Sequence, residues 1–68
     1  MNMELTPIAK VIKEKGLRKG WVAEKAEVAP GTLSMIISGK SKPTIEVAIR
    51  LGRVLDKSVE ELFGHLVP

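Results

Sequence analysis

The stretch VAPGTLSMIISGKSKPT, Val28 to Thr44, carries no charged side chain in its first twelve residues, Val28 to Gly39. Pro30 suits the first position of a helix, where its missing N–H costs nothing. Ala29, pushed towards extended backbone by the proline after it, supplies an N-cap backbone without a capping oxygen. Leu33, Ile36 and Ile37 then share one face, and Gly39 ends the segment. Pro30, Gly31, Ser34, Met35 and Ser38 remain on the outside. A short helix with a buried apolar stripe and a small, uncharged outer face is the reading.

The same periodicity extends in both directions. Upstream, LTPIAKVIKEKG offers Thr6 as N-cap, Pro7 as first helical residue and Gly16 as stop. Ile8, Val11 and Ile12, with the link to Leu17, define its inner face, and Lys10, Lys13, Glu14 and Lys15 look solvated. RKGWVAEKAE reads as a second short helix with Val22, Ala23 and Ala26 as its stripe. Gly20 costs its first turn about 1 kcal/mol relative to Ala, so this helix depends on tertiary packing. Glu27–Ala29 is a very short connection to the third helix.

Downstream, KSKP is a basic loop. Thr44 caps a fourth helix with Glu46 near its positive end and with Ile45, Ala48, Leu51, Gly52 and Leu55 inward. SVEELFG is a fifth, in which Ser58 and Glu61 stand in capping-box spacing, Val59, Leu62 and Phe63 face inward, and Gly64 is the stop. No segment alternates as a strand would. The 68 residues form a single domain, all-α, a bundle of about five short helices.

Composition narrows the chemistry. Without cysteine there is no disulfide, thiolate ligand or thiol nucleophile, and one His and one Asp do not make a metal cluster. No cofactor is expected. Paired carboxylates, a Ser–His–Asp set and a phosphate-binding glycine loop are not evident, so an enzyme is the least favoured reading. Neither an export signal nor a membrane-length apolar run is seen, which makes the cytoplasm the expected location. Net charge is +3. Residues 1–45 hold 8 basic and 4 acidic side chains (+4), and residues 46–68 hold 3 and 4 (−1). The basic excess lies around the first three helices.

Two short helices joined by a minimal turn, the second followed by Gly and a basic loop, resemble a helix-turn-helix over about residues 18–38. From Gly16 to Phe63 the chain resembles the phage-repressor or Cro-like helix-turn-helix family, also called XRE. Leu17, VAEKA, Val28, TLS at 32–34, Ile36, GK at 39–40, Pro43, Leu55 and SVEELF carry the likeness. The resemblance implies a λ-repressor-like bundle whose third helix lies in the major groove of double-stranded DNA while the second crosses the backbone. It places Lys19 where relatives usually have a phosphate-contacting Gln. Arg18 stands beside it, and Lys40 and Lys42 lie beyond the third helix as further phosphate contacts. Base-reading positions fall on Ala29, Pro30, Gly31, Ser34, Met35 and Ser38, with Thr32 at the edge.

Several positions depart from the family pattern. The reading helix lacks the long polar side chains that make bidentate bonds to bases, so modest base discrimination is expected, with phosphate contacts and DNA shape adding selectivity. Ile37 replaces the usual Glu, and core packing is favoured over a partner contact. Trp21, where relatives are polar, is expected to be partly buried between Leu17 and Lys25. His65 reads as a tail residue.

Function follows as an expectation: a DNA-binding transcriptional regulator, a repressor holding a pseudo-palindromic operator as a homodimer. Ile49, Val54, Leu66 and Val67 are the apolar residues expected at the dimer interface. The uncharged third helix also admits a protein-interaction module, antitoxin-like or a regulatory subunit, on the same scaffold.

Overall fold

The computed structural model describes residues 5–68. Five α-helices follow one another: α1 (Pro7–Lys15), α2 (Lys19–Ala26), α3 (Pro30–Ile37), α4 (Ile45–Leu55) and α5 (Val59–Phe63), with a 3-10 helix at Gly64–Leu66. There is no strand among the described residues. α2 packs on α3 and on α4, and α5 packs on both α4 and α1, closing the bundle.

Local chemistry starts and stops these helices. The Thr6 hydroxyl accepts the Ala9 N–H at 3.2 Å and donates to the Ile37 carbonyl at 2.7 Å, so one side chain caps α1 and ties it to the end of α3. Thr44 accepts from Val47 at 3.2 Å. Ser58 and Glu61 exchange both bonds of a capping box at 3.0 Å. At the other ends, Gly16 and Gly39 take the left-handed conformation that glycine tolerates, and the next residue bonds back across the turn: Leu17 N–H to the Ile12 carbonyl, Lys40 N–H to that of Met35. α2 ends in the same motif with Glu27 in the left-handed position, at φ 56°. That conformation costs an L side chain about 1–2 kcal/mol.

None of the helices is long enough to persist alone. The core supplies the difference: Ile8, Val22, Ala26, Leu33, Leu51, Leu55 and Leu62 are essentially solvent-free. Ile37, at 7% exposure, belongs to this core as expected from its departure from the family's Glu.

Two expectations from the helical spacing fail. Ile45 is 81% exposed rather than inward. It is the first residue of α4, and α5 meets α4 at Gly52, seven residues or about 10 Å further along, leaving Ile45 uncovered. Val59 is 40% exposed rather than buried, although one of its methyls lies over Gly52, and α5 buries only Leu62 and Phe63. Gly64 ends α5 as expected, and its φ of −60° carries the chain directly into the 3-10 helix. Of the residues assigned to a dimer interface, Ile49 and Val67 are exposed, whereas Val54 and Leu66 are half-buried against the core. Val54 stands two turns from the half-buried Val47, on the flank of the α4 stripe.

Gly52 marks the tightest approach of a glycine to another stretch of main chain. A Cβ there would lie 2.8 Å from the Lys57 carbonyl oxygen, because the turn after α4 folds back and the Lys57 N–H bonds to the Gly52 carbonyl at 3.0 Å. Gly52→Ala is expected to lower stability by about 1–3 kcal/mol, since main chain must move. A thermal melt checks it; a rise in the midpoint, from helix propensity alone, would show that the turn yields freely.

The Glu61 carboxyl is held below its ordinary value of 4.5, chiefly by the hydrogen bond from the Ser58 backbone. A depressed folded-state value means stability that is complete above 4.5 and lost as pH falls through the lowered value. Acid titration followed at the Ser58 amide resonance should report α5 loosening in that window, and Glu61→Gln should remove the pH dependence.

Candidate nucleic-acid interface

The outer face of α3 is formed by Pro30, Gly31, Thr32, Ser34 and Met35, all exposed, continued by Ser38 at the C-cap. Gly31 and Ser38 stand seven residues apart, two turns along one line, with Ser34 and Met35 to either side. Thr32 lies at the margin, as the spacing predicts. The longest of these side chains is Met35, 44% exposed. Ser38 Oγ donates to the Met35 carbonyl at 3.1 Å, which leaves that hydroxyl free to accept but not to donate.

The beginnings of α2 and α3 differ from those of the other helices. α1, α4 and α5 each have a hydroxyl cap. α2 begins after Arg18 and α3 after Ala29, and neither has a side-chain cap or an acidic residue in its first turn. The first N–H groups of both helices, Gly31 and Thr32 in α3 and Lys19, Gly20 and Trp21 in α2, therefore point out of their helices without intrahelical partners. In α2 the positive end of the helix dipole also coincides with Arg18 and Lys19, a repulsive arrangement unless an anion is present.

Lys19 and Ser38 are brought together. Both line an open groove of about 540 Å³ between α1, the start of α2 and the end of α3, and Lys13 stands on the same groove. Lys13 looks merely solvated in the sequence; its i, i+4 spacing from Ala9 on α1 was the available sign that it shares the side on which the groove opens. Lys40 follows α3 directly, its N–H fixed to the Met35 carbonyl at 2.9 Å, with the Ser41 N–H on the same oxygen at 3.2 Å. Lys42 lies farther round the loop, on the rim of a second groove between α4 and α5. Trp21 is 43% exposed, with the Lys25 ammonium 5.9 Å from its ring centre, a cation–π contact at the surface.

Arg50 positions the two motif helices and has no counterpart among the residues singled out in the sequence. From α4 its Nε donates to the Ala26 carbonyl at 2.7 Å and an Nη to that of Glu27 at 3.4 Å, while its other Nη pairs with Glu46 at 3.0 Å. The guanidinium thus holds the last carbonyls of α2, the very point at which the chain turns into α3. Only the i, i+4 spacing from Glu46 hints at it in sequence.

The family model for the helix-turn-helix matches residues 8–62. The chain belongs to the Cro-like, XRE-type helix-turn-helix family. No curated protein and no solved structure matches it. It is a DNA-binding domain of the transcription-regulator type, in a family that is regulatory and not enzymatic. Among the described residues no helix is long and apolar enough to cross a membrane.

Arg50→Lys keeps the charge but cannot reproduce the fork onto two carbonyls. It is expected to cost about 1–2 kcal/mol in denaturant unfolding and to speed hydrogen exchange at the Val28 N–H, which closes the turn on the Ala23 carbonyl at 3.0 Å. Unchanged exchange there would mean that the turn holds its shape without the guanidinium.

Proposed function

We propose that this helix-turn-helix protein is a repressor that occupies a pseudo-palindromic operator as a homodimer, by steric occupancy and without chemistry. The observation that carries the reading is the pair of helix beginnings without side-chain caps at α2 and α3, the first of them flanked by Arg18 and Lys19, where the other three α-helices are capped. Local rules are broken where a ligand completes them. A phosphate at the start of α2 accepts from its free N–H groups and pairs with Arg18 and Lys19, with Lys13 beside them. Lys40 grips the backbone beyond α3, and Lys42 stands at the edge of that set, where the loop turns towards α4.

Base reading rests on Pro30, Gly31, Thr32, Ser34, Met35 and Ser38. Pro30 and Gly31 let the backbone come close to the base edges. Ser34 and Thr32 make single hydrogen bonds that several bases satisfy, Ser38 is restricted to accepting, and Met35 covers a thymine methyl. Such a short alphabet gives modest discrimination per base, so affinity is dominated by phosphates and selectivity leans on groove shape. Half-sites about 34 Å apart follow from two-fold symmetry on the duplex.

Binding to a randomised duplex pool at two salt concentrations, followed by sequencing, tests this. A two-fold symmetric motif and a steep salt dependence are expected. Lys19→Ala should weaken binding to all sequences alike and lower the salt slope by about 0.9 for each phosphate that the lysine neutralises. Met35→Ala should change the motif and leave the slope. Absence of retention at low salt, with a stoichiometric protein partner captured instead, would turn the assignment to a protein-interaction module.

A further inference from the structure

The groove that brings Lys13, Lys19 and Ser38 together also has an apolar lining, which contact with DNA phosphates leaves unused. Ile12 and Ile37 are its buried base, Ala9 and Leu17 are half-buried, and the exposed Leu5 stands at its edge. All of these side chains are aliphatic. Neither an aromatic ring nor a carboxylate lines the groove among the described residues. Its charged side chains are both cations: Lys13 in the last turn of α1 and Lys19 at the first position of α2. Neither takes part in an ion pair among the described residues. The hydroxyls on the groove have already given up their protons, Thr6 to the Ile37 carbonyl and Ser38 to that of Met35. The side-chain donors left for a ligand are therefore the two ammonium groups.

We propose that this groove binds an aliphatic monocarboxylate, its tail on Ile12 and Ile37 and its head between Lys13 and Lys19, and that the bound acid displaces DNA. The displacement rests on the phosphate role proposed for Lys19 above; the binding does not. At about 540 Å³ the groove falls within the usual size of a small-molecule site, about 300–1,000 Å³. Walls without a ring to stack on suit a saturated chain and not a nucleotide base. Two cations with no acid beside them match an anion, and one carboxylate has acceptor sites enough for both ammonium groups. A cationic amphiphile lacks that complementarity. Lys19 and Lys13 are also the cations that meet the DNA backbone beside α2 in the operator reading. The head of the acid then stands where a phosphate would, and each ligand weakens the other by the same factor.

Titration of the whole chain with decanoate, below the concentration at which it forms micelles, tests the binding by amide and methyl NMR without DNA. Saturable shifts are expected at Ala9, Leu17, Lys19 and Ile37, with Val59 and Val67 of the second groove unmoved. Acetate, the head with a single methyl, and decyltrimethylammonium, the tail with the opposite charge, should leave the same resonances in place. Shortening the acid should weaken it by up to about fourfold per methylene. Lys13→Glu, a change at an exposed position, should weaken it by at least about tenfold with circular dichroism unchanged, since a like charge then faces the head. On a duplex that the native chain retains, decanoate at about ten times its dissociation constant should lower the DNA affinity by about tenfold. Absence of saturable shifts, equal shifts with decyltrimethylammonium, or equal shifts at both grooves would overturn the site and leave the DNA reading intact. The same resonances moving on raising the protein concentration alone would put a second copy in the groove, against the proposal. Decanoate bound with duplex affinity unchanged would refute the displacement. A chain that retains no duplex even without decanoate would sink the operator reading instead, and the titration alone would then decide the site.

Discussion

The Arg50 guanidinium spans from α4 to the carbonyls that close α2, and the relation between the two motif helices hangs on that reach. A turn of three residues between helices of eight residues each has little rigidity of its own. Glu27 sits there in a left-handed conformation that favours glycine, so the turn is strained where its shape matters most. Hydrogen bonds from a charged donor to two otherwise terminal carbonyls offset that strain. They also fasten the turn to α4, the longest helix and the one with the most pronounced apolar stripe. Thr6 does the corresponding work at the opposite end of α3 by bonding to Ile37. The reading helix is therefore held at both ends by side chains from helices outside the motif.

Stability and function divide the helix termini between them. Hydroxyl caps at Thr6, Thr44 and Ser58 satisfy α1, α4 and α5 internally, worth about 1 kcal/mol each. α2 and α3 forgo that gain, and α2 additionally places two cations at its positive end. Summed over a marginally stable 68-residue chain this is a substantial concession. Under the proposed function, the acceptors and negative charge missing at those ends come from the DNA backbone.

The surface follows the same division. Cations surround the beginning of α2 and the end of α3, while the outer face of α3 is small and neutral, allowing close approach with little side-chain information. At the far end the helices leave an apolar face because α5 is too short to cover the first turn of α4. The groove is a direct consequence of a short chain: five residues of α5 complete the core through Leu62 and Phe63 and nothing more.

Local chemistry made much of this legible in the sequence. Thr6, Thr44 and the Ser58–Glu61 pair cap the helices they precede, Gly16 and Gly39 close theirs, and the apolar spacing names nearly the whole core, Ile37 included. The outer face of α3 was legible for the same reason, since a period of 3.6 fixes which residues oppose Leu33 and Ile36. Periodicity does not say what covers a face. Ile45 shares the register of buried neighbours yet stands in solvent, and Val59 is covered only in part, because coverage depends on where another helix crosses. Val54, outward by the spacing, is half-buried instead. Gly64 and Glu27 show that a residue's tolerance for a left-handed turn neither requires nor forbids one there. Arg50, whose partners lie 23 and 24 residues away, and the meeting of Lys13, Lys19 and Ser38 on one groove were decided only by packing. The sequence by itself determined each helix and its polarity. The tertiary structure alone determined which ends and faces meet, because that depends on long-range contacts that no local spacing encodes.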